Sequence, residues 1–324
     1  MSKKHITLAN GKITLPGGGG GYNPPINPIY DISIQRSVEW ILEQGRIDTV
    51  YHPIVDHANS TVFGHEVLSR PHYEGQRIPP DVWFHAAYES GLAVDADLLS
   101  LSTGVKDFSA LPHGIASTPL FVNVMPNSLS DKSFLRGVEI LFEEGYRQPD
   151  ELVFEVIEHV SYDPKSLAQC IKPLRSLGIR IALDDFGMGN ANLAALVQLE
   201  PDFIKVDRSL IQGISTSSAK QRLLSHLVDY MDSGNSVIAE GVETHDDLLA
   251  VQASGVNLSQ GYYWTAPMPI TNLTLLTEAI EKARDELVAC VQEKNGVLTD
   301  DEVVQKSQQL DFLIIQYCHL GLGM

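Results

Sequence analysis

The amino-acid sequence predicts an α/β fold, a (β/α)8 barrel followed by an α-helical hairpin. Three observations carry this. Short apolar runs alternate with helical stretches roughly eight times over roughly 220 residues, as parallel βαβ units do in a closed barrel. Polar residues stand at or near the ends of these runs, where barrel loops converge on one face. No glycine-rich dinucleotide fingerprint follows a first strand, which weighs against a doubly wound sheet.

The chain has 324 residues, 44% of them hydrophobic, enough for a large core. Its formal charge of −18 argues against binding DNA or RNA polymers or an anionic membrane surface. An acidic protein that handles a phosphate ester needs metal ions to invert its local field. Cys170, Cys290 and Cys318 are scattered, without metal-ligand spacing, and read as thiols in a reducing compartment. With no apolar run near the ~20 residues of a membrane span and no signal peptide, a cytoplasmic location is expected.

In order, His5–Leu15 alternates around Asn10-Gly11 like a small hairpin, and Gly17–Gly21 with Pro24, Pro25 and Pro28 reads as a linker. Residues 1–30 are therefore expected to be an arm. A helix bearing Val38, Ile41 and Leu42 leads into the apolar stretch Thr49–Val55. After a turn, Thr61–Leu68 is a strand carrying Glu66. Pro79–Leu92 and Ala93–Leu111 are helical, Leu120–Val124 is a strand with Asn123, and Phe134–Glu144 is helical. Leu152–Ile157 carries Glu155, and a helix over Lys165–Leu177 follows. The run Ile179–Gly189 ends on Asp184-Asp185 before a glycine turn. Phe203–Val206 holds Lys205, Ser236–Ala239 runs into Glu240, and Leu258–Trp264 holds Gln260.

Adjacent carboxylates repel unless one is protonated or a cation lies between them, so Asp184 and Asp185 indicate an acid/base dyad or a divalent metal. In a barrel they share one rim with Glu66, Asn123, Glu155, Lys205, Glu240 and Gln260. Mg²⁺ or Mn²⁺ takes oxygen ligands of the kind that Glu66, Asn123, Glu155 and Asp184 supply, and Asp185 can hold a second ion. Two such ions suit an in-line phosphoryl displacement. Lys205 can hold the attacking water or steady developing charge, or be a plain salt-bridge partner.

Several motifs then resemble the EAL-domain family of bacterial cyclic di-GMP phosphodiesterases. They are Glu66-Val67-Leu68 with Arg70, Asn123, Glu155-Val-Ile-Glu158, Asp184-Asp185-Phe-Gly-Met-Gly189, Ile204-Lys205-Val-Asp207, Glu240-Gly-Val-Glu243 and Gln260-Gly-Tyr262. The resemblance covers about residues 48–270. It implies a modified TIM-like barrel, often dimeric, with Glu66, Asn123, Glu155 and Asp184 as ligands of one metal and Asp184 with Asp185 as ligands of a second. It further implies catalytic roles for Lys205 and Glu240 and substrate positions at Leu68, Arg70 and Gln260. Glu158 would anchor the loop after Asp185, and Glu243 would support the site. Departures are Val67 for alanine, His52 for glutamine in Tyr51-His52-Pro53-Ile54, and Ala191-Asn192 for a serine pair.

In the tail, Ile280, Ala283, Leu287 and Val291 make an apolar stripe that Asn295-Gly296 ends. Thr299 with Glu302 forms a capping box for a second helix with Val303, Leu310, Ile314 and Tyr317 inward. Ser307-Gln-Gln-Leu-Asp311 resembles the signature of the two-helix aspartyl-phosphate phosphatases of spore-forming bacteria, with Gln309 for glutamate. That resemblance implies action of Asp311 on a phosphorylated response regulator; otherwise the hairpin is a packing or dimer unit. The expected division is 1–30 arm, 31–270 barrel and 271–324 hairpin. The expected function is metal-dependent hydrolysis of cyclic di-GMP to pGpG, with a non-catalytic nucleotide receptor as the alternative.

Overall fold

The computed structural model describes residues 28–59, 61–157, 160, 162–187, 193–231, 236–294 and 297–307. The arm and hairpin expected before Pro28 lie outside these residues, as do Glu158, Ala191, Asn192, Asp311 and Cys318. Among the described residues, eight strands close into a barrel. They are β1 (Asp48–Asp56), β2 (Thr61–Arg70), β3 (Leu120–Val124), β4 (Leu152–Val156), β5 (Arg180–Phe186), β6 (Phe203–Val206), β7 (Val237–Ala239) and β8 (Leu258–Ser259). Each pairs with the next in chain order, and β8 returns to β1. A short β9 (Met268–Pro269) pairs with β1 as well, at Val50 and Tyr51.

The expected barrel forms, with one correction to its alternation of strand and helix. β1 runs antiparallel to both β2 and β8. The link after Asp56 is too short for the crossover that a parallel pair needs. Asp56 Oδ1 accepts hydrogen bonds from the N–H groups of Ala58 and Asn59 and shapes the reversal.

Side chains on a strand alternate between faces. Outward, Val122, Val124, Phe154, Val156, Ile181 and Leu183 join the main core under the helices. Inward, Ile54, Phe121, Val153, Ala182, Phe203, Ile238 and Leu258 form an apolar plug that floors the barrel. Gly64 completes the β2 position: a Cβ there would lie 2.5 Å from the Pro119 carbonyl oxygen.

Helix α1 (Pro28–Gln44) starts inside the stretch expected to be linker. Its Val38 and Ile41 pack with Trp83 and Ala87 of α2 (Pro80–Glu89) and Ala96 of α3 (Ala93–Ser109). Asp131 caps α4 (Lys132–Glu143) by accepting from the Ser133 N–H. The single helix expected over Lys165–Leu177 is two, α5 (Pro164–Cys170) and α6 (Lys172–Leu177). Pro173 has no N–H to continue the ladder. α7 (Leu193–Leu199), α8 (Ser218–Tyr230) and α9 (His245–Ala253) follow in turn.

The last barrel strand stops at Ser259 rather than running to Trp264, because Gly261 turns away at φ +151°. Directly after β9, α10 (Ile270–Glu293) begins, and its Leu273 and Leu276 enter the barrel's core. Further on, Ala283 and Cys290 are buried and Leu287 and Val291 half-buried; the side chain of Ile280 is not described. The next helical turns, over 301–307, are capped by Asp300, whose Oδ1 accepts from the Glu302 N–H at 3.0 Å, and not by Thr299. Val303 is buried there as expected, and Leu310, Ile314 and Tyr317 lie outside the described residues. Among the described residues no helix is long and apolar enough to cross a membrane.

Candidate active site

Two residues from each plug position toward the mouth, every strand carries a polar side chain into the barrel. The eight are His52, Glu66, Asn123, Glu155, Asp184, Lys205, Glu240 and Gln260. Strand pairing sets His52 opposite Glu66 and Asn123 opposite Glu155, and between such pairs the register steps by two residues, Glu66 facing Phe121, Glu155 facing Ala182 and Lys205 facing Ile238. Period-two alternation therefore builds the ring: the apolar layer fixes each strand's rotation, and the next inward position must face the cavity above it.

Lys205 is the hub. Its Nζ lies 2.9 Å from Glu155 Oε1, 2.9 Å from Glu240 Oε1, 3.0 Å from Asp184 Oδ1 and 3.3 Å from Glu66 Oε1. The side chain is 1% exposed, so its charge is met by the carboxylates around it. Burial alone would drive its proton off; Asp184, Glu155, Glu240 and Glu66 outweigh that and hold the pKa well above the ordinary lysine range. Glu66 is oriented further by Asn123 Nδ2, donating at 3.1 Å, and Gln260 Nε2, donating at 2.9 Å. Despite burial, Lys205 and these donors keep its carboxyl below the usual range.

One ammonium cannot neutralise four carboxylates. Burial, with Glu66 and Asp184 beside it, pushes Glu155 well above the usual carboxylate range. Burial likewise raises Glu240, Asp184 and Glu66 adding to it against Lys205. Glu155 Oε2 is buried without a hydrogen-bond partner, and the contact of Glu155 Oε1 with Lys205 is an ion pair without hydrogen-bond alignment. Surplus buried negative charge and orphaned oxygens are what a hard divalent cation relieves.

Consecutive residues of a regular strand face opposite sides, so Asp184 and Asp185 share the mouth only because the β5–β6 register shifts between Leu183 and Phe186. At this bulge Asp185 takes φ +50°, in the left-handed region. Carboxylate oxygens of Asp184, Asp185 and Glu240 then lie within 4.8 Å of one another. Among the described residues these three carboxylates form an acidic cluster that could hold a divalent cation.

Two cavities meet at this ring. One, of about 220 Å³, is bounded by Asn123, Asp184, Phe84 and His85; the other, of about 360 Å³, by Glu66, Asp185, Glu240 and Gln260. Leu68 and Arg70, two and four residues beyond Glu66 on the same strand face, line both. Glu243 lines the second and accepts from Gln212 Nε2.

Sequence reading did not place His52 in the ring, although its distance of two from Ile54 would have done so. Asp97 in the first cavity and Arg208 in the second come from helices, where no strand alternation marks them, and Tyr262 of the Gln260-Gly-Tyr262 motif lines the second.

A barrel whose mouth gathers carboxylates around one lysine defines the class as an acid-lined α/β barrel. Residues 33–267 match the EAL domain family, and this chain belongs to it. Residues 276–319 match the family described as Spo0E like sporulation regulatory protein.

Among curated relatives is the probable cyclic di-GMP phosphodiesterase PdeN of Escherichia coli (strain K12). It is 28% identical over 238 residues, which are 72% of this chain and 46% of that protein. The cyclic di-GMP phosphodiesterase RocR of Pseudomonas aeruginosa is 28% identical over 232 residues, 70% of this chain and 59% of that one. This chain spans about half the length of the curated relatives it matches. Among solved structures, Klebsiella pneumoniae BlrP1 in a manganese/cy-diGMP complex is 30% identical with TM-score 0.61, over 69% of this chain and 56% of that one. The PaMucR phosphodiesterase in a c-di-GMP complex is 25% identical with TM-score 0.65, over 74% of this chain and 99% of that one.

Proposed function

We propose that this protein hydrolyses cyclic di-GMP to linear pGpG. The observation that carries the reading is the ring itself, with one buried lysine held by four carboxylates at the junction of two cavities. Relatives named as cyclic di-GMP phosphodiesterases support the substrate.

Glu66, Asn123, Glu155 and Asp184 would hold one divalent cation and Asp184 with Asp185 a second, Mg²⁺ or Mn²⁺. When bound, such ions supply an activated water and neutralise charge at the phosphate. Lys205, fixed by its four partners, keeps a positive charge where the attacking oxygen and the transition-state phosphoryl oxygens converge. Glu240, 2.9 Å from Lys205 Nζ, would assist the metal and its water. Arg70 and Gln260 orient the phosphate, and Leu68 separates the two halves of the dinucleotide and excludes water between them.

The test is chromatography of cyclic di-GMP incubated with the protein and Mg²⁺ or Mn²⁺. Appearance of pGpG that Lys205→Ala abolishes supports the mechanism. Tight binding without pGpG would make the protein a nucleotide receptor instead, and a rate untouched by Lys205→Ala would remove the role given to that lysine.

The match over residues 276–319 favours a second activity in the same chain. In this reading residues 31–270 are the nucleotide enzyme, working as a homodimer, and 271–324 a module acting on a phosphorylated response regulator through Asp311. Loss of label from such a regulator, prevented by Asp311→Ala, supports this; a stable label with intact protein rules it out.

A further inference from the structure

The second cavity is walled on one side by a strap that leaves the barrel at Gln260 and returns at β9. Gly261, Tyr262 and Pro267 of this strap face the cavity. Its departure is set by Gly261, where φ is +151° and a Cβ would lie 2.3 Å from the Val242 carbonyl oxygen, so no other residue fits. Its return is set by Met268 and Pro269 pairing with Tyr51 and Val50. Between these ends, His52 Nε2 lies 3.1 Å from the carbonyl oxygen of the fully buried Thr265.

A carbonyl oxygen can only accept, so Nε2 must carry the proton, and the imidazole tautomer is fixed. The backbone that carries His52 is fixed on both sides. Pro53 restricts its backbone to extended conformations, and the β1–β2 register holds it opposite Glu66. Burial keeps the ring neutral, its pKa lowered to about 4 against the opposing pull of Glu66.

The geometry points to His52 as a positioning residue: its Nε2–H tethers the strap and so sets the wall, and through the neighbouring Gln260 the ligand contacts, of the nucleotide cavity. The proposal rests on the cyclic di-GMP reading for its kinetic consequence and on the structure alone for the tether. A longer or shorter side chain at this position changes where Gly261–Pro267 sits without touching Lys205. Glutamine can restore the tether, because its terminal amide nitrogen reaches the place of the ring Nε2. Asparagine reaches only as far as Nδ1.

The test compares His52→Leu, His52→Asn and His52→Gln in the full chain, with two measurements. Amide hydrogen exchange over 261–269 is followed without nucleotide, and KM and kcat are measured for cyclic di-GMP with Mn²⁺. Leucine and asparagine are expected to speed exchange in this segment severalfold. They should also raise KM about tenfold, the worth of one lost hydrogen bond at a binding wall, with kcat within about threefold. Glutamine is expected to restore both. Wild-type exchange and KM in both the leucine and asparagine variants, or a glutamine variant as impaired as they are, overturns the tether. Absence of turnover in the wild-type protein would instead sink the functional reading, while the exchange measurement still decides the role of His52.

Discussion

A methyl group placed on Gly104 would lie 2.6 Å from Val67 Cγ1. Helix α3 crosses β2 at the one valine that departs from the family's signature tripeptide, and the helix has no side chain there. The contact is locked from the other side by Tyr51, whose hydroxyl donates to the Gly104 carbonyl at 3.0 Å. Gly104→Ala should therefore destabilise by about 1 kcal/mol, overpacking exceeding the helix-propensity gain. Val67→Ala should cost about 2 kcal/mol as a cavity. In the double variant the new methyl enters the vacated volume, so urea denaturation should show a loss about 2 kcal/mol smaller than the sum.

Removing the Lys205 ammonium leaves four carboxylates facing one another in the barrel. Lys205→Met is expected to lower stability by about 3–5 kcal/mol in the presence of chelator, the usual consequence of stripping one partner from a buried ion cluster. Millimolar Mg²⁺ or Mn²⁺ should narrow the gap, since acidic groups freed of the ammonium bind a cation more tightly than the wild-type ring does, and mass action then stabilises the variant more than wild type. Thermal melts with and without chelator check this; equal losses under both conditions would mean that removing the ammonium does not tighten cation binding at the ring.

Glu155 behaves oppositely. Burial and the neighbouring carboxylates push its proton affinity well above the usual carboxylate range in the cation-free protein. Glutamine is nearly the isostere of the neutral form that this rise favours, so Glu155→Gln should change stability in chelator by less than about 0.5 kcal/mol. The same variant should blunt the thermal shift that Mn²⁺ produces in wild type. A variant that retains the full shift would strike Glu155 from the ligand set.

Most of this site could be read before the fold was known, because five of the ring positions, Glu66, Asn123, Glu155, Asp184 and Lys205, sit on strands that show in the sequence, and Glu240 and Gln260 stand directly after two more. His52 was legible by the same rule yet was met only as a departure from a motif, since β1 runs backwards and presents its inward residue two positions before Ile54. The sharing of a mouth by Asp184 and Asp185 was inferred correctly but without its cause. A β-bulge is a property of the pairing with β6 and leaves no periodic mark in β5. The break at Pro173 was visible and was overrun by the helical pattern around it. Arg208 reaches the second cavity through tertiary placement alone.

Asp97 gives a pH signature away from the ring. It is buried, its Oδ2 accepts from the Met125 N–H at 2.9 Å, and burial raises its pKa to about 7. The folded state therefore holds a proton that the unfolded state has released above pH ~4, and stability falls as pH rises through that window. His65 has the opposite sign: burial lowers its pKa to about 3, so the fold loses stability as pH drops below ~6.5, when the unfolded chain takes up a proton. Asparagine keeps the acceptor for Met125 and abolishes titration. Between pH 5 and pH 8, wild type should lose about 3 kcal/mol relative to Asp97→Asn, a difference that leaves the His65 contribution out because both proteins share it. Parallel stability profiles for the two proteins would show Asp97 to be ionised throughout.

Asp185 pays for its place at the mouth with backbone conformation. At φ +50° it occupies the left-handed region, where a side chain costs on the order of 1 kcal/mol and glycine nothing. Asp185→Ala and Asp185→Gly both delete the carboxylate and whatever contacts it makes, so comparing them isolates the backbone. Glycine ordinarily weakens a strand relative to alanine, yet here Asp185→Gly should be the more stable of the two by about 1 kcal/mol in urea denaturation. Both should lose affinity for a second cation equally. If alanine proves the more stable, the bulge is relaxed rather than strained, and the adjacency of the two aspartates must be held by the barrel pairing alone.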